Sequence, residues 1–502
     1  MNTASPDAYS ELSAHVRELA ELASCGSLLG WDMETLMPAG GMAHRARQIA
    51  ALTTLVHERR TSPEFGGMLD RAAESTEAGT KEAANVREMK REFDRRTKLP
   101  VDLVREISET TSLSRNAWRE AREKGDFALF RPWLEKVVAL KRREADAIGF
   151  EDEAYDALLD EYEPHMTTRD VSELLHPLRA GLADLLGRIL DASDKPDGSI
   201  LERVYPVGAQ AEFGRTGAAG IGFQFDNGRL DVTTHPFCST IGPGDTRITT
   251  RYTERFFSES YFGTLHEAGH GVYEQGLDQD AFGLPSGQAA SMAVHESQSR
   301  LWENLVGRSH GYWRHNFAAA QAKFPEALGD VGIDDFYRAL NEVKPSFIRV
   351  EADEVTYNLH VFLRFELERA MLDGDLAVAD LPAAWNETFE RDFRIKPQND
   401  SLGCLQDIHW SLGSLGYFPT YSLGNLYASQ LFARAGEELG DLDAMFAAGE
   451  FTPLRKWLQE KIYDHGGRYP PRELIERATG KAPSADALLA HLETKYGAVY
   501  RL

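Results

Sequence analysis

Residues 261–275 read YFGTLHEAGHGVYEQ, and the spacing of their apolar side chains is typical of a helix. Within this stretch His266 and His270 stand four residues apart, so on a helix both imidazoles project from one face and can reach one metal ion. Glu267 lies beside them, where a carboxylate can take a proton from an attacking water. The pattern therefore predicts a helix-borne metal site. The alternative is a pair of core or exposed histidines with a solvated glutamate.

The third metal ligand must come from elsewhere in the chain. A catalytic zinc ion needs three protein ligands and one open position, and the two histidines supply only two. A second helical segment, residues 292–300, carries both His295 and Glu296. Adjacent helix positions point about 100° apart, so only one of the two can face the metal. A carboxylate with two histidines matches the thermolysin-like ligand set, which favours Glu296 over His295.

Three glycines lie in or beside the same predicted helix: Gly263, Gly269 and Gly271. Each costs roughly 1 kcal/mol relative to alanine in a helix interior, so a compensating reason is expected. Close approach of a second helix or of a substrate backbone would supply that reason. The alternative is that the helix begins or ends nearby.

The rest of the chain predicts a mainly α protein. Helical periodicity dominates a scaffold over residues 1–200, as at Leu12, Val16 and Leu19. In residues 201–252 the segments 230–237 and 247–252 are rich in β-branched residues and flank a turn at 242–245, which predicts a small antiparallel β element. Helical spacing returns at Phe256 and fills the half 253–502. Since no linker or repeat divides the chain, residues 1–502 are predicted to form one catalytic unit.

The amino-acid composition indicates which binding partners and which cellular compartment to expect. The 79 acidic residues outnumber the 55 basic ones, which argues against nucleic acid and anionic membranes as partners. No segment has the pattern of a secretory signal or a membrane span, so a cytoplasmic protein is expected. Cys25, Cys238 and Cys404 are too few and too scattered for a disulfide framework or a thiolate metal site.

Several short motifs accompany the metal helix in a fixed order along nearly the whole chain. They are Gly30-Trp31-Asp32, Met37-Pro38, Arg45-Ala46 with Gln48, His235-Pro236-Phe237, Asp245-Thr246-Arg247-Ile248-Thr249, His295-Glu296-Ser297-Gln298, Ile348-Arg349-Val350-Glu351-Ala352-Asp353 and Gly403-Cys404-Leu405-Gln406-Asp407-Ile408-His409-Trp410. Together they resemble the signatures of the carboxypeptidase Taq family of zinc metallocarboxypeptidases.

The resemblance implies a site, a fold and an assembly. It implies the metal ligands His266, His270 and Glu296, with Glu267 as general base. It also implies a nearly all-helical body divided by a long substrate cleft and related to neurolysin and angiotensin-converting enzyme. Members of the family are commonly homodimers, so a homodimer is expected here.

A carboxypeptidase must bind a free terminal carboxylate, which the paired donors of an arginine fit well. Arg349 is the leading candidate, because it begins a segment with helically spaced apolar residues and a helix start could direct it into the cleft. The alternative is a scaffold pair with Glu351 or Asp353. Arg247 is a weaker rival, because Asp245 nearby suggests a structural pair.

Three further residues have candidate roles. His409 and Tyr421 could donate to the negative charge that builds on the scissile carbonyl, a role supported by similarity to helical zinc peptidases, although Tyr417 could replace Tyr421. Both could equally be core residues. His235, on the predicted β element, could contact an extended peptide, or its motif could be a rigid turn.

The sequence thus predicts a zinc-dependent metallocarboxypeptidase that releases single amino acids from peptides with broad specificity. Cobalt or manganese could occupy the same ligands. One alternative is an endo-oligopeptidase or dipeptidyl carboxypeptidase on a similar body. Another is a peptide-binding scaffold with a structural zinc ion, against which Glu267 argues because a closed structural site needs no base.

Overall fold

The computed structural model describes residues 7–502, so the first six residues of the predicted helical scaffold lie outside the described part of the chain. Its helices are α1 (Ala8–Thr35), α2 (Met42–Arg60), α3 (Pro63–Ser75), α4 (Lys81–Thr97), α5 (Val101–Lys124), α6 (Phe127–Ile148), α7 (Ala154–Leu159), α8 (Thr168–Asp191), α9 (Val207–Ile221), α10 (Phe257–Gly276), α11 (Met292–Arg300), α12 (His310–Lys323), α13 (Pro325–Leu328), α14 (Ile333–Leu340), α15 (Tyr357–Asp373), α16 (Leu381–Phe393), α17 (Pro419–Leu439), α18 (Leu442–Ala447), α19 (Thr452–Lys461), α20 (Pro471–Thr479) and α21 (Asp486–Tyr500). The predicted mainly α fold is confirmed. Among residues 7–502, none of the helices combines the length and apolar character needed to cross a bilayer.

The chain is organised in two compact units. The first comprises the described part of Met1–Arg96 together with Asp197–Leu340 and Leu431–Ala482. The second comprises Thr97–Pro196, Asn341–Gln430 and Pro483–Leu502. That residues 1–502 act as one catalytic unit, and that a long cleft of the neurolysin type divides them, remain predictions.

Helix α1 illustrates how the sequence sets the helical scaffold. Asp7 caps its start, because its carboxylate accepts a hydrogen bond of 2.7 Å from the backbone N–H of Ser10. Leu12, Val16 and Leu19 follow at helical spacing, and all three are buried. Leu12 and Val16 belong to an apolar cluster formed with α3 and α4 in the first unit.

A small three-stranded sheet lies in the predicted β region. Its strands are β1 (Gly228–Val232), β2 (Cys238–Gly242) and β3 (Asp245–Thr250), in the order β1-β3-β2. The pairing of β2 with β3 is antiparallel as predicted, but β1 pairs with β3 in parallel, so the sheet is mixed.

Two details of the predicted β element were wrong. Residues 233–237 were expected to continue a strand, whereas they form the connection between β1 and β2. Pro236 lies in this connection and has no N–H to give to a ladder, which accounts for the break. The region 201–252 also contains helix α9, which the expectation of β structure missed.

The metal helix, α10, is closely approached by α11 within the first unit. A Cβ built on Gly269 would lie 2.8 Å from the Cα of Ser299 and 2.9 Å from the carbonyl oxygen of Gln298. Only a glycine leaves room for this approach. At Gly263 the same construction meets nothing closer than 3.9 Å, so that glycine has no comparable packing reason. The expected close approach of a second helix is therefore found at Gly269.

Candidate active site

Three potential metal ligands converge in the first unit. One donor atom each from His266, His270 and Glu296 lies within 4.8 Å of the other two. The Oε2 atom of Glu296 is 3.7 Å from Nε2 of His266 and 3.5 Å from Nε2 of His270. The two histidines come from α10 and the glutamate from α11, so the close approach at Gly269 brings the three together.

The outer nitrogens of both imidazoles are already engaged. Nδ1 of His266 is 2.9 Å from Oε2 of Glu303, and Nδ1 of His270 is 3.1 Å from the carbonyl oxygen of His295. Since a carboxylate and a carbonyl only accept, each Nδ1 carries the proton and donates it. Each Nε2 then has its lone pair directed toward Glu296, which is the tautomer that metal ligation requires. The donor set therefore fits a divalent metal ion.

Glu296 is oriented by an arginine on its own helix. Nε of Arg300 donates to Oε1 of Glu296 over 2.7 Å, so Oε2 is the oxygen that faces the imidazoles. Burial would raise the pKa of Glu296, but Arg300 and the two histidines hold that pKa well below its ordinary value. Glu296 is therefore an ionised carboxylate.

The histidines titrate differently because their neighbours differ. Burial would lower the pKa of His266, but Glu296 and Glu303 raise it above the ordinary value. Burial together with the neighbouring His295 lowers the pKa of His270 to about 3. The pKa of His266 thus rises because two carboxylates face its ring, whereas the pKa of His270 falls because burial and His295 outweigh the effect of Glu296.

His295, the rival for the third ligand, points elsewhere. Its Nε2 is 2.9 Å from Oε1 of Glu274, and its ring stacks on that of His270 with centroids 4.3 Å apart. Neighbouring positions on α11 diverge as the helical geometry predicts. Of the pair, only Glu296 belongs to the group of converging donors.

Glu267 is 7% exposed and lies next to this group in the sequence. Burial raises its pKa to about 7, with His266 opposing the rise and Glu296 adding to it. A carboxylate with a pKa near neutrality is suited to general acid–base chemistry.

A second cluster of candidate residues is centred on Asp407 in the second unit. Oδ1 of Asp407 accepts from Nε and Nη2 of Arg349 over 3.1 and 3.0 Å, and Oδ2 accepts from Nε of Arg364 over 2.6 Å. Nη1 of Arg349 also donates to the hydroxyl of Tyr357 over 3.0 Å. The alternative in which Arg349 pairs with Glu351 or Asp353 is therefore not what the described residues show. Asp353 instead accepts from backbone N–H groups before α15.

Arg349 does not stand at the first residue of a long helix, as its apolar spacing had predicted. It opens a short 3₁₀ turn, Arg349–Glu351, and α15 begins only at Tyr357. Its side chain is nearly buried. Arg349 is held by hydrogen bonds rather than by a helix terminus.

His409 and both candidate tyrosines lie in the second cluster. Nε2 of His409 is 3.2 Å from the hydroxyl of Tyr421, and the guanidinium of Arg349 lies 4.6 Å above the Tyr421 ring. The ring of Tyr417 is 5.4 Å from that of His409. Burial lowers the pKa of His409 to about 4, with Arg349 and Arg364 opposing the effect of Asp407.

The remaining candidates lie in or beside the sheet. Arg247 pairs with Asp245 over 2.7 Å and lies 4.2 Å above the Trp31 ring, in agreement with the structural role suggested for it. His235 is exposed and lies in the connection between β1 and β2 rather than on a strand. It is not among the converging donors.

Sequence reasoning missed the residues that support the ligands. Arg300 and Glu303 follow Glu296 by four and seven positions, the spacing of one helix face, and this signal could have identified both. Asp407 lies within a recognised motif, but its two arginine partners are 58 and 43 residues away in sequence.

Two histidines one helical turn apart, a carboxylate from a neighbouring helix and a buried glutamate beside them define a site of the metallopeptidase class. The chain belongs to the carboxypeptidase Taq (M32) metallopeptidase family, whose model matches residues 11–496. This confirms the predicted family and supports the predicted peptide-bond hydrolase.

Relatives with the same length and fold support that conclusion. Thermostable carboxypeptidase 1 of Thermus thermophilus is 48% identical, over 98% of this chain and 99% of its own. Carboxypeptidase 1 of Bacillus subtilis is 38% identical, over 97% of both chains. The crystal structure of the M32 carboxypeptidase from Deinococcus radiodurans has a TM-score of 0.96 at 41% identity, covering 99% of this chain and 100% of its own. The metallocarboxypeptidase function predicted from the sequence is thereby confirmed.

Proposed function

We propose that this metallocarboxypeptidase is a zinc enzyme that removes single amino acids from the C-terminal end of peptides with broad specificity. The observation that carries the proposal is the convergence of His266, His270 and Glu296 with both Nδ1 atoms occupied by acceptors. Two imidazoles and one carboxylate are a ligand set for catalytic zinc, although cobalt or manganese could occupy it.

Glu267 is the proposed general base. When bound at these ligands, zinc would activate the attacking water and polarise the scissile carbonyl. Glu267 accepts the proton of that water and later delivers it to the leaving amine. Its burial and its place one residue after His266 support this role.

Arg349 is the proposed clamp for the terminal carboxylate of the substrate. A guanidinium has five N–H groups, and within residues 7–502 the hydrogen bonds to Asp407 and Tyr357 engage three of them. The other two can form the paired bonds that a carboxylate accepts. Asp407 fixes the orientation of the guanidinium, so little rotamer entropy is lost on binding.

His409 and Tyr421 are the proposed donors to the oxyanion. The contact between Nε2 of His409 and the hydroxyl of Tyr421 favours Tyr421 over Tyr417. A neutral His409, as its lowered pKa implies, can donate from one ring nitrogen. His235 is the proposed peptide contact, which its exposure supports.

We further propose a cytoplasmic homodimer. Cys25, Cys238 and Cys404 are all free thiols, which suits a reducing compartment. The homodimer rests on the family resemblance, and size-exclusion chromatography with light scattering tests it directly.

One experiment tests the proposed reaction. The purified protein is incubated with a peptide ladder, with and without a chelator, and the products are identified by mass spectrometry beside a metal analysis. Single amino acids released in order from the C-terminus, together with one zinc per chain, are expected. Release of dipeptides or internal fragments contradicts the proposed specificity, and undiminished activity after complete metal removal contradicts the metal mechanism.

A further inference from the structure

We infer that Glu303 is a positioning residue for the metal centre, acting through Nδ1 of His266 and itself held in place by Arg300. The inference rests on the proposed metal site and assigns a role to a side chain outside the ligand set. Glu303 would set the tautomer and the donor strength of one histidine.

The local backbone brings Glu303 to this place. Helix α11 ends at Arg300 and the chain continues as a π-helical segment, Leu301–Val306. Such segments are uncommon and are frequent at functional sites. Glu303 lies in this wider turn, and its Oε2 is 2.9 Å from Nδ1 of His266 on α10.

One arginine links Glu303 to a proposed ligand. Nε of Arg300 donates to Oε1 of Glu296 over 2.7 Å, and its Nη1 donates to Oε2 of Glu303 over 3.3 Å. Nη2 of Arg308 lies 3.7 Å from the other oxygen of Glu303. A single guanidinium thus fixes the separation between the two carboxylates that stand on either side of His266.

The arrangement is asymmetric between the two histidines. His266 donates its Nδ1–H to a carboxylate, whereas His270 donates to the neutral carbonyl of His295. A charged acceptor makes the stronger hydrogen bond and increases the basicity of the opposite nitrogen. The strength of His266 as a metal ligand therefore depends on the side chain of Glu303, which a mutation can remove. The acceptor for His270 is a backbone carbonyl, which a mutation cannot remove.

Glu303 could instead serve only to join α11 to the residues that follow it. Two features speak against a purely structural pair. Its side chain is 13% exposed although it carries a charge, and its shortest contact is with the imidazole rather than with either arginine. A role in positioning His266 explains why a mostly buried carboxylate stands beside its Nδ1 atom.

The test compares zinc affinities, measured by competition with a chelator, for wild type, Glu303→Ala and Glu303→Gln. Glu303→Ala removes the acceptor and should weaken zinc binding by roughly 10- to 100-fold. Glu303→Gln keeps a neutral acceptor and should fall between Glu303→Ala and wild type. Glu259→Gln on α10 is the matched control, because Glu259 is 18% exposed, pairs with Arg251 and contacts none of the proposed ligands.

The outcomes are separable. Wild-type affinity in both Glu303 variants, or an equal loss in Glu259→Gln, overturns the inference while leaving the proposed metal site intact. Failure of the wild type itself to bind zinc refutes the proposed site. If Glu303→Ala does not fold, Glu303→Gln decides alone, because an affinity equal to that of wild type contradicts a role for the charge.

Discussion

The backbone of Ser299 comes so close to Gly269 that a Cβ on this glycine would stand 2.8 Å from the Cα of Ser299. Gly269 is the fourth residue of the motif that begins at His266, and Ser299 lies three residues after Glu296. The glycine therefore determines how near the helix that carries the carboxylate can approach the helix that carries the histidines.

Gly269→Ala should consequently damage the metal site. The added methyl group forces α11 away from α10, since the atoms it meets belong to the backbone and cannot rotate aside. We expect weaker zinc binding and a loss of about 1–3 kcal/mol in the free energy of unfolding. Chelator competition and chemical denaturation measure the two effects.

Gly263→Ala is the matched control on the same helix. Its Cβ would meet nothing closer than the Thr250 hydroxyl at 3.9 Å, and alanine is favoured over glycine in a helix by about 1 kcal/mol. The variant should be as stable as wild type or more stable, with unchanged zinc affinity. If Gly269→Ala and Gly263→Ala have the same zinc affinity and the same stability, Gly269 is not needed for the close approach of α11 to α10.

Glu267→Gln should strongly reduce turnover and leave the metal bound. The amide keeps the size of the side chain but cannot accept the proton of the attacking water. We expect zinc content equal to that of wild type, and kcat reduced by about 10²- to 10⁴-fold. Retention of near-normal kcat by this variant means that another group is the base.

Tyr421→Phe should lower kcat with little change in KM. Removing one donor to a developing oxyanion costs about 10²- to 10³-fold in kcat. Tyr417→Phe is the comparison, because the ring of Tyr417 packs against the same His409 ring. A larger loss in Tyr417→Phe reverses the assignment of the two tyrosines.

Local spacing in the sequence was sufficient to predict the converging donors. His266 and His270 share a helix face because they are four residues apart on one helix, independently of the rest of the fold. The divergence of His295 from Glu296 follows from the rotation of about 100° between adjacent helix positions. The helical scaffold was predictable for the same reason. The shared face of the two histidines and the divergence of His295 from Glu296 need only residues within two helical turns, whereas the choice of Glu296 as third ligand also used the ligand set known for catalytic zinc.

Pairing between distant segments was not predictable. The parallel alignment of β1 with β3 depends on how the chain returns after residues 233–237, which no local pattern specifies. The sequence suggested only the nearby Glu351 and Asp353 as alternative partners of Arg349, whereas Asp407 stands 58 residues further along the chain. Asp353 accepts from the backbone N–H groups of Val355 and Thr356 in the turn before α15, a competing use that the sequence did not reveal.

The C-terminal helix α21 should make stability sensitive to acid. Glu354, whose side chain is 5% exposed, accepts from Lys495 over 2.7 Å and lies 3.0 Å from Nε2 of His491. Burial would raise the pKa of Glu354, but Lys495 and His491 hold it well below the ordinary value. A carboxylate whose pKa is lowered in the native state stabilises the protein at pH values above its unfolded pKa of about 4.3. That stabilisation is lost as the pH falls below this value toward the native pKa.

Glu354→Gln should therefore destabilise the protein by about 3 kcal/mol at pH 7, because it removes the carboxylate that pairs with the buried Lys495. The difference from wild type should shrink below about pH 4. Denaturation midpoints measured from about pH 7 to below about pH 4 give this stability difference. Glu437→Gln is the control, because Glu437 belongs to an exposed ion pair with Arg434 and its loss should have a small effect. If the stability difference between wild type and Glu354→Gln does not change with pH, it does not arise from the ionised carboxylate of Glu354.

Arg349→Ala should reduce the preference for a free C-terminus rather than activity in general. A charge-assisted hydrogen bond contributes about 1.5–3 kcal/mol, so kcat/KM for free-acid peptides should fall by about 10- to 150-fold relative to amidated ones. The variant should fold, because Oδ2 of Asp407 keeps its bond to Arg364. Arg349→Lys should recover little of the preference, because an ammonium group cannot form the paired bonds of a guanidinium. If the ratio of kcat/KM between free-acid and amidated peptides is the same in Arg349→Ala as in wild type, the terminal carboxylate is bound by another residue.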